Sequence, residues 1–116
     1  MILAVLNDLL FASKIRTTAA QLGVELTIVK TPDTALDAIR ASAPSLVILD
    51  LNNGPADPLQ VVAAIQQDAA LAHVRTLGFV SHVQTGLIDA ARRAGIGEVM
   101  PRSAFAMRLP DILARG

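Results

Sequence analysis

The sequence predicts an α/β domain in which one open, doubly wound parallel sheet is covered by helices on both faces. Five short apolar runs are separated by segments with helical spacing. The runs are continuously apolar rather than alternating, as expected when both faces of a strand are buried. Hydrophobic residues make up 53% of the 116 residues and charged residues 17%, without Trp or Tyr. We therefore expect a single domain, residues 1–116, with an aliphatic interior.

The apolar runs are the predicted strands. They lie at residues 2–6, 24–29, 46–49, 77–80 and 98–100. No basic segment precedes the first run and Asp8 follows it, so this run is a strand rather than a secretion signal. None of the runs approaches the roughly 18 apolar residues that a membrane span requires.

The first two helices have clear signals. Phe11, Ile15 and Ala19 share one helical face, and Gly23 provides a C-terminal stop. The second helix has Thr31 as N-cap with a proline at its first position, and a further proline at position 44 marks its end.

The remaining helices follow the same logic. Asp57 and a proline after it repeat the start signal for the third helix, and Gly95 closes the fourth. The last helix begins near Ser103. Pro110 should kink or break it, because proline lacks the donor for an internal hydrogen bond and clashes one turn back.

Polar residues follow four of the strands, and the carboxyl ends of parallel strands are where such sheets bind ligands. They are Asn7, Asp8, Asp50, Asn52, Ser81 and Arg102. Asp50 is the most informative, because a carboxylate that ends a buried apolar run must lie at a solvated rim with partners. The alternative for Asp50 is a loop cap before the turn predicted at residues 52–55, and the residues alone favour neither.

The run Leu-Val-Ile-Leu-Asp at residues 46–50, with Ala-Pro-Ser before it and Leu-Asn after it, resembles the third strand of two-component response regulator receiver domains. The resemblance continues through residues 2–5, 90–97 and 102–104. It implies a flavodoxin-like sandwich whose five-stranded parallel sheet has the order 2-1-3-4-5 with five helices. It also implies that Asp50 accepts a phosphoryl group from a phosphohistidine of a partner kinase.

The resemblance is weakest at the metal site. Receivers hold Mg²⁺ with two adjacent acids after the first strand, and these positions fall on Leu6 and Asn7 here. Asp8 comes one residue late, and we favour its interpretation as the N-cap of the first helix. The candidate metal ligands are Asp50, Asp8, Asn7 and the backbone of Asn52. Fewer negative charges weaken Mg²⁺ binding, so Mg²⁺ is a possible cofactor that this sequence does not favour.

The other site positions carry a hydroxyl and a cation. Ser81 falls where receivers have a hydroxyl that bonds the phosphate, although it can equally cap the next loop. Arg102 replaces the usual lysine, and we expect it to contact Asp50 rather than solvent. The aromatic switch residue of the family corresponds to Val99, so His82 is a candidate for a different mobile ring.

Three functions follow from these residues. We favour a pseudo-receiver that signals through protein contacts, ahead of a phospho-acceptor that uses Asp50 and Mg²⁺. A flavodoxin-like binder of a small molecule or cofactor is a weaker alternative. The chain lacks a Gly-rich phosphate loop and a nucleophile elbow, so no enzyme is expected beyond self-phosphorylation at Asp50 from a phosphodonor.

The charge balance limits the partners. Ten acidic and ten basic residues cancel, so neither nucleic acid nor a membrane is expected to bind directly. The absence of cysteine fits a reducing cytoplasm, and the resemblance to receivers implies a bacterial one. The expected partner is a sensor histidine kinase or another signalling protein, and a homodimer through the fourth helix, fifth strand and fifth helix is possible. The residues predicted to face outward there are Gln84, Arg92, Arg93, Met107 and Arg108.

Overall fold

The computed structural model describes residues 1–53, 57–81 and 85–116. Strands and helices alternate along the chain, and a short 3₁₀ helix, Ala69–Leu71, follows the third helix. The elements are β1 Ile2–Val5, α1 Leu9–Leu22, β2 Leu26–Val29, α2 Pro32–Ser42, β3 Leu46–Asp50, α3 Pro58–Gln67, β4 Arg75–Val80, α4 Thr85–Ala94, β5 Glu98–Pro101 and α5 Arg102–Arg115. None of the helices in the described part of the chain is long and apolar enough to cross a membrane.

The strands form one parallel sheet in the order β2-β1-β3-β4-β5. This confirms the predicted flavodoxin-like class, the strand order and the five helices. Val5 pairs with Leu49 across β1 and β3, and Asp50 pairs with Phe79 across β3 and β4. The carboxyl ends of the central strands therefore meet at one edge of the sheet, where the polar residues of the loops gather.

Each face of the sheet has its own apolar core. On one face α1 and α5 pack against the strands through a cluster that includes Phe11, Ile15 and Phe105. On the other face α2, α3 and α4 bury residues such as Ile39 and Val62. The central strands β1, β3 and β4 are buried on both sides almost throughout, which explains their continuous apolarity.

The predicted helix ends are present. The Thr31 hydroxyl accepts a hydrogen bond from the backbone N–H of Thr34 at 3.2 Å, within a capping box. Gly23 ends α1 in the left-handed conformation, with φ 69°, and its N–H donates to the carbonyl of Ala20 at 3.2 Å. Asp57 precedes α3 as expected but makes no side-chain cap, because its own backbone is left-handed, with φ 43°.

Two strands begin two residues away from the predicted position, and three others end one residue away from it. β2 begins at Leu26 rather than Val24, because the N–H of Val24 donates to the carbonyl of Ala19 and so completes the end of α1. β4 begins at Arg75, two residues before the apolar run, since an exposed arginine can join the ladder through its backbone alone. Neither change alters the sheet order.

The break predicted at Pro110 is wrong. The helix α5 runs without interruption from Arg102 to Arg115 with Pro110 inside it. Buried side chains on both sides of the proline, Phe105 and Leu109 before it and Ile112 after it, hold the helix on the sheet. Pro110 itself is exposed, so packing on the opposite face outweighs the loss of one internal hydrogen bond.

Candidate functional site

The candidate site lies at the carboxyl ends of β1, β3, β4 and β5. The loop after β1 carries Asp8, β3 ends on Asp50, Ser81 directly follows β4, and Arg102 begins α5. The structure joins Asp8, Ser81 and Arg102 by hydrogen bonds, while Asp50 lies beside them without a direct bond to Arg102.

Asp50 is more buried than a solvated rim would suggest, with an exposed fraction of 9%. Its Oδ1 atom accepts a hydrogen bond from the backbone N–H of Asn52 at 3.0 Å. Burial raises the pKa of Asp50, against the opposing effects of this hydrogen bond and of the charge on Arg102. Asp50 thus caps its own loop, and its carboxyl group is also largely desolvated.

Asp8 is the N-cap of α1, as predicted. Its Oδ1 atom accepts from the backbone N–H of Phe11 at 3.0 Å, and its Oδ2 atom accepts from Nη2 of Arg102 at 2.5 Å. The hydrogen bond from Arg102, followed by the one from the N–H of Phe11, lowers the pKa of Asp8. Both carboxylate oxygens of Asp8 therefore have partners.

The predicted contact between Arg102 and Asp50 is wrong, because the guanidinium group binds Asp8 instead. Its Nη1 atom also donates to the hydroxyl oxygen of Ser81 at 3.4 Å, and its Cζ atom lies 4.3 Å from the ring centroid of Phe11. The reason is electrostatic. Asp8 is one-third exposed, so its charge costs little desolvation, whereas burial raises the pKa of Asp50 and favours its neutral form.

The side chain of Asn52 has a role that the sequence did not indicate. Its Oδ1 atom accepts a hydrogen bond from the backbone N–H of Ser81 at 2.6 Å. This bond ties the loop after β3 to the end of β4, so the position of the Ser81 hydroxyl depends on the loop that Asp50 caps. An amide two residues after a loop-capping acid was the available signal in the sequence.

Phe11 was also missed as a site residue, because its helical spacing explained it as part of the core. Its ring lies edge-on to Phe79 and to Phe105, with centroid distances of 5.2 Å and 5.6 Å. Phe79 and Phe105 stack at 4.7 Å. These are all three phenylalanines of the chain, and Arg102 covers the outermost ring.

The remaining candidates are less involved. Asn7 is exposed and Leu6 is buried, while Val99 is half-buried and packs on the α2, α3 and α4 side of the sheet. His82 and Gln84, together with residues 54 and 55 of the predicted turn, lie outside the described residues.

Comparison with solved structures gives many similar folds. A response regulator from Hahella chejuensis has 21% identity and a TM-score of 0.83, with 97% of this chain and 92% of that chain covered. The signal receiver domain of the putative response regulator NarL from Mycobacterium tuberculosis has 17% identity and a TM-score of 0.81, with coverage of 98% and 92%. The Mn²⁺-bound form of response regulator Rcp1 has 16% identity and a TM-score of 0.80, with coverage of 96% and 89%.

No protein-family model and no curated protein matches the sequence. The structural similarity therefore establishes the class through the fold alone: the chain has the fold of response regulator receiver domains.

Proposed function

We propose that the chain is a receiver-like signalling module of a two-component type system that acts through protein contacts, with an eroded phospho-acceptor site centred on Asp50. One observation carries this proposal. Asp8 lies one residue after the expected metal-binding positions. One of its carboxylate oxygens accepts the capping hydrogen bond of α1, and the other accepts a hydrogen bond from Arg102. The group that would have to draw a cation to Asp50 is thus already neutralised by a guanidinium.

The residues present are a poor fit for Mg²⁺. This ion requires near-ideal octahedral coordination by oxygen, and the carboxylate of Asp8 that would supplement Asp50 is already paired with the guanidinium of Arg102. Within residues 1–53, 57–81 and 85–116, no group of three or more His, Cys, Asp or Glu could hold a metal. Among the described residues, Nδ2 of Asn53 is a buried atom without a hydrogen-bond partner, and as a donor it suits an anion rather than a cation.

A phospho-accepting receiver is the second candidate, because Asp50 ends β3 with Ser81 and Arg102 at neighbouring strand ends. In that case Asp50 would attack the donor phosphorus, form an acyl phosphate and release the donor's leaving group. Arg102 and the Ser81 hydroxyl would then bind the phosphoryl oxygens. This chemistry would be self-phosphorylation only, and the protein is not proposed to be an enzyme beyond it.

The proposed partner is a sensor histidine kinase or another signalling protein of a bacterial cytoplasm. The surface formed by α4, β5 and α5 is the proposed homodimer interface. Its candidate contact residues are accessible, since Arg92 and Arg93 are exposed and Met107 is 85% exposed. Arg108 pairs with Glu98 there at 3.7 Å. Sedimentation of the wild type and of Met107→Asp tests the dimer, which the aspartate should dissociate and a monomeric wild type would disprove.

The test of the function is phosphorylation in vitro. The wild type and Asp50→Asn are incubated with Mg²⁺ and a small acyl-phosphate donor, and their intact masses are compared. A phospho-accepting receiver treated in parallel shows that the donor is active. We expect no adduct on either form of this chain, whereas a labile adduct on the wild type that Asp50→Asn abolishes would establish the second candidate instead.

A further inference from the structure

We propose that the ion pair of Arg102 with Asp8 is a latch. An oxyanion that binds at the carboxyl end of the sheet opens this latch, and opening uncovers the ring of Phe11. This inference rests on the proposed receiver-like site and concerns how that site is regulated. The oxyanion is a phosphoryl-type group, either free in solution or attached to Asp50.

The closed state is defined by three contacts of one guanidinium group. Arg102 bonds Asp8, reaches the Ser81 hydroxyl and lies over the Phe11 ring. Two of these partners are fixed to each other, because the N–H of Phe11 donates to Asp8 at the start of α1. Asp8 and the ring of Phe11 therefore form a single binding site for the Arg102 guanidinium. This site lies at the start of α1, whereas Asp50 lies at the end of β3.

The latch is accessible to an incoming anion. The side chains of Arg102 and Asp8 are each 34% exposed, so the ion pair is only partly shielded from solvent. The Nη1 edge of the guanidinium has a long contact, 3.4 Å, to the neutral hydroxyl of Ser81. An oxyanion between Ser81 and Arg102 would gain the planar fork of arginine and the hydroxyl donor together. It would compete with Asp8 for the same cation.

Opening the latch would change the environment of a buried aromatic cluster. Phe11 is 7% exposed with Arg102 over one face, and its ring edge contacts Phe79 and Phe105. The carbonyl of Phe79 accepts from the N–H of Leu51, the residue after Asp50. The rings thus connect the loop of Asp50 to the surface of α1, in a chain with no aromatic residue on β5.

Binding of inorganic phosphate, followed by NMR without any phosphodonor, tests the latch. The proteins are the wild type, Asp8→Asn, Arg102→Gln and the double variant. Asn is as good an N-cap as Asp, so Asp8→Asn removes the charge that holds Arg102 but leaves the start of α1 capped. We expect phosphate to bind Asp8→Asn about two- to fivefold more tightly than the wild type, the range for a partly exposed ion pair. Arg102→Gln should bind it more weakly.

The double variant separates the latch from simple repulsion between Asp8 and phosphate. If Asp8 acts by holding Arg102, replacing Asp8 gains nothing once Arg102 is absent. Saturation of the wild type should also shift the ring protons of Phe11. A gain that persists in the double variant would overturn the latch.

A second arm distinguishes the source of the oxyanion and separates the latch from the proposed function. The titration is repeated with an acyl-phosphate donor, for the wild type and for Asp50→Asn. If inorganic phosphate shifts the Phe11 ring protons in both the wild type and Asp50→Asn, the ligand is a free anion. If the ring protons shift only with the acyl-phosphate donor, and only in the wild type, the ligand is the phosphoryl group on Asp50. The first result supports the latch and the pseudo-receiver, while the second supports the latch and contradicts the pseudo-receiver. Ring protons that move under neither condition contradict the latch, whatever the mass spectra show.

Discussion

Asp8 and Arg102, 94 positions apart in the sequence, meet at 2.5 Å between Oδ2 and Nη2. Their strands are not neighbours, since β3 and β4 separate β1 from β5 in the sheet. The contact arises because α1 and α5 pack on the same face and begin at the same edge of the sheet. A cation at the N-terminus of a helix is unfavourable, so Asp8 offsets a cost that Arg102 incurs at the start of α5.

The two roles of Asp8 predict different effects of two substitutions on stability. Asp8→Ala removes both the cap of α1 and the ion pair, whereas Asp8→Asn retains an acceptor for the N–H of Phe11. We expect Asp8→Ala to be less stable than Asp8→Asn by about 1 kcal/mol, the usual value of an N-cap. Urea unfolding followed by far-UV circular dichroism measures the difference, since the chain has no Trp or Tyr. Equal stabilities would show that the cap does not contribute.

Asp50 should make the folded state more stable at low pH than at neutral pH. A salt-bridged acid, whose pKa is lowered, has the opposite effect. Because burial raises the pKa of Asp50 above its ordinary value of 3.8, its protonated form stabilises the fold at low pH. This stabilisation is lost as pH rises through the raised pKa. Asn cannot ionise but keeps the acceptor for the N–H of Asn52.

We therefore expect Asp50→Asn to be more stable than the wild type at neutral pH, and the difference to shrink as pH falls toward 3.8. Urea unfolding of both proteins across this pH range gives the two stability curves. A wild type that is more stable than Asp50→Asn at neutral pH would mean that Asp50 is held ionised by a cation, contrary to the structure.

Gly97 should be the less replaceable of two glycines on the α4 and β5 side of the chain. A Cβ atom at Gly97 would lie 2.8 Å from the backbone carbonyl oxygen of Thr76, whereas one at Gly86 in α4 would meet nothing within 4 Å. We expect Gly97→Ala to cost about 1–3 kcal/mol through overpacking, since backbone cannot move aside as a side-chain tip can. Gly86→Ala should be neutral or stabilise by up to about 1 kcal/mol. Equal effects in urea unfolding would place the Thr76 carbonyl elsewhere.

Pro110 should be a place where stability can be gained. Replacing this exposed residue with alanine restores a donor to the middle of α5 without changing the buried face. Proline costs about 3 kcal/mol in a helix interior, partly offset by its restriction of the unfolded chain, so we expect Pro110→Ala to stabilise by about 1–3 kcal/mol. Ala114→Gln, at an exposed position of the same helix outside the proposed dimer residues, is the control and should change stability by less than about 0.5 kcal/mol. A destabilised Pro110→Ala would show that the proline supports a helix geometry that alanine does not.

Local signals predicted much of this molecule. The N-caps Asp8 and Thr31, the stop at Gly23 and the position of Asp50 at the end of β3 depend on residues within a few positions of one another. Their chemistry is fixed by the immediate sequence. The strand order came from the resemblance to receivers, because local patterns do not specify which strands are neighbours.

The features that were missed depend on packing over long distances. Arg102 binds Asp8 rather than Asp50 because of the contact between α1 and α5 and the burial of Asp50, and neither is visible in sequence. The side chain of Asn52 bonds Ser81, 29 positions away. Pro110 remains helical because buried neighbours on either side of it outweigh its local preference.

Binding of Mg²⁺ tests most directly the claim that this site no longer holds a metal. Backbone amide signals of Asp50, Asn52 and Ser81 are followed by NMR as Mg²⁺ is added to the wild type and to Asn7→Asp, which returns a carboxylate to a position where receivers have one. We predict no saturable change in the wild type at millimolar Mg²⁺, and a saturable change in Asn7→Asp. Saturable binding to the wild type that Asp50→Asn abolishes would contradict the account.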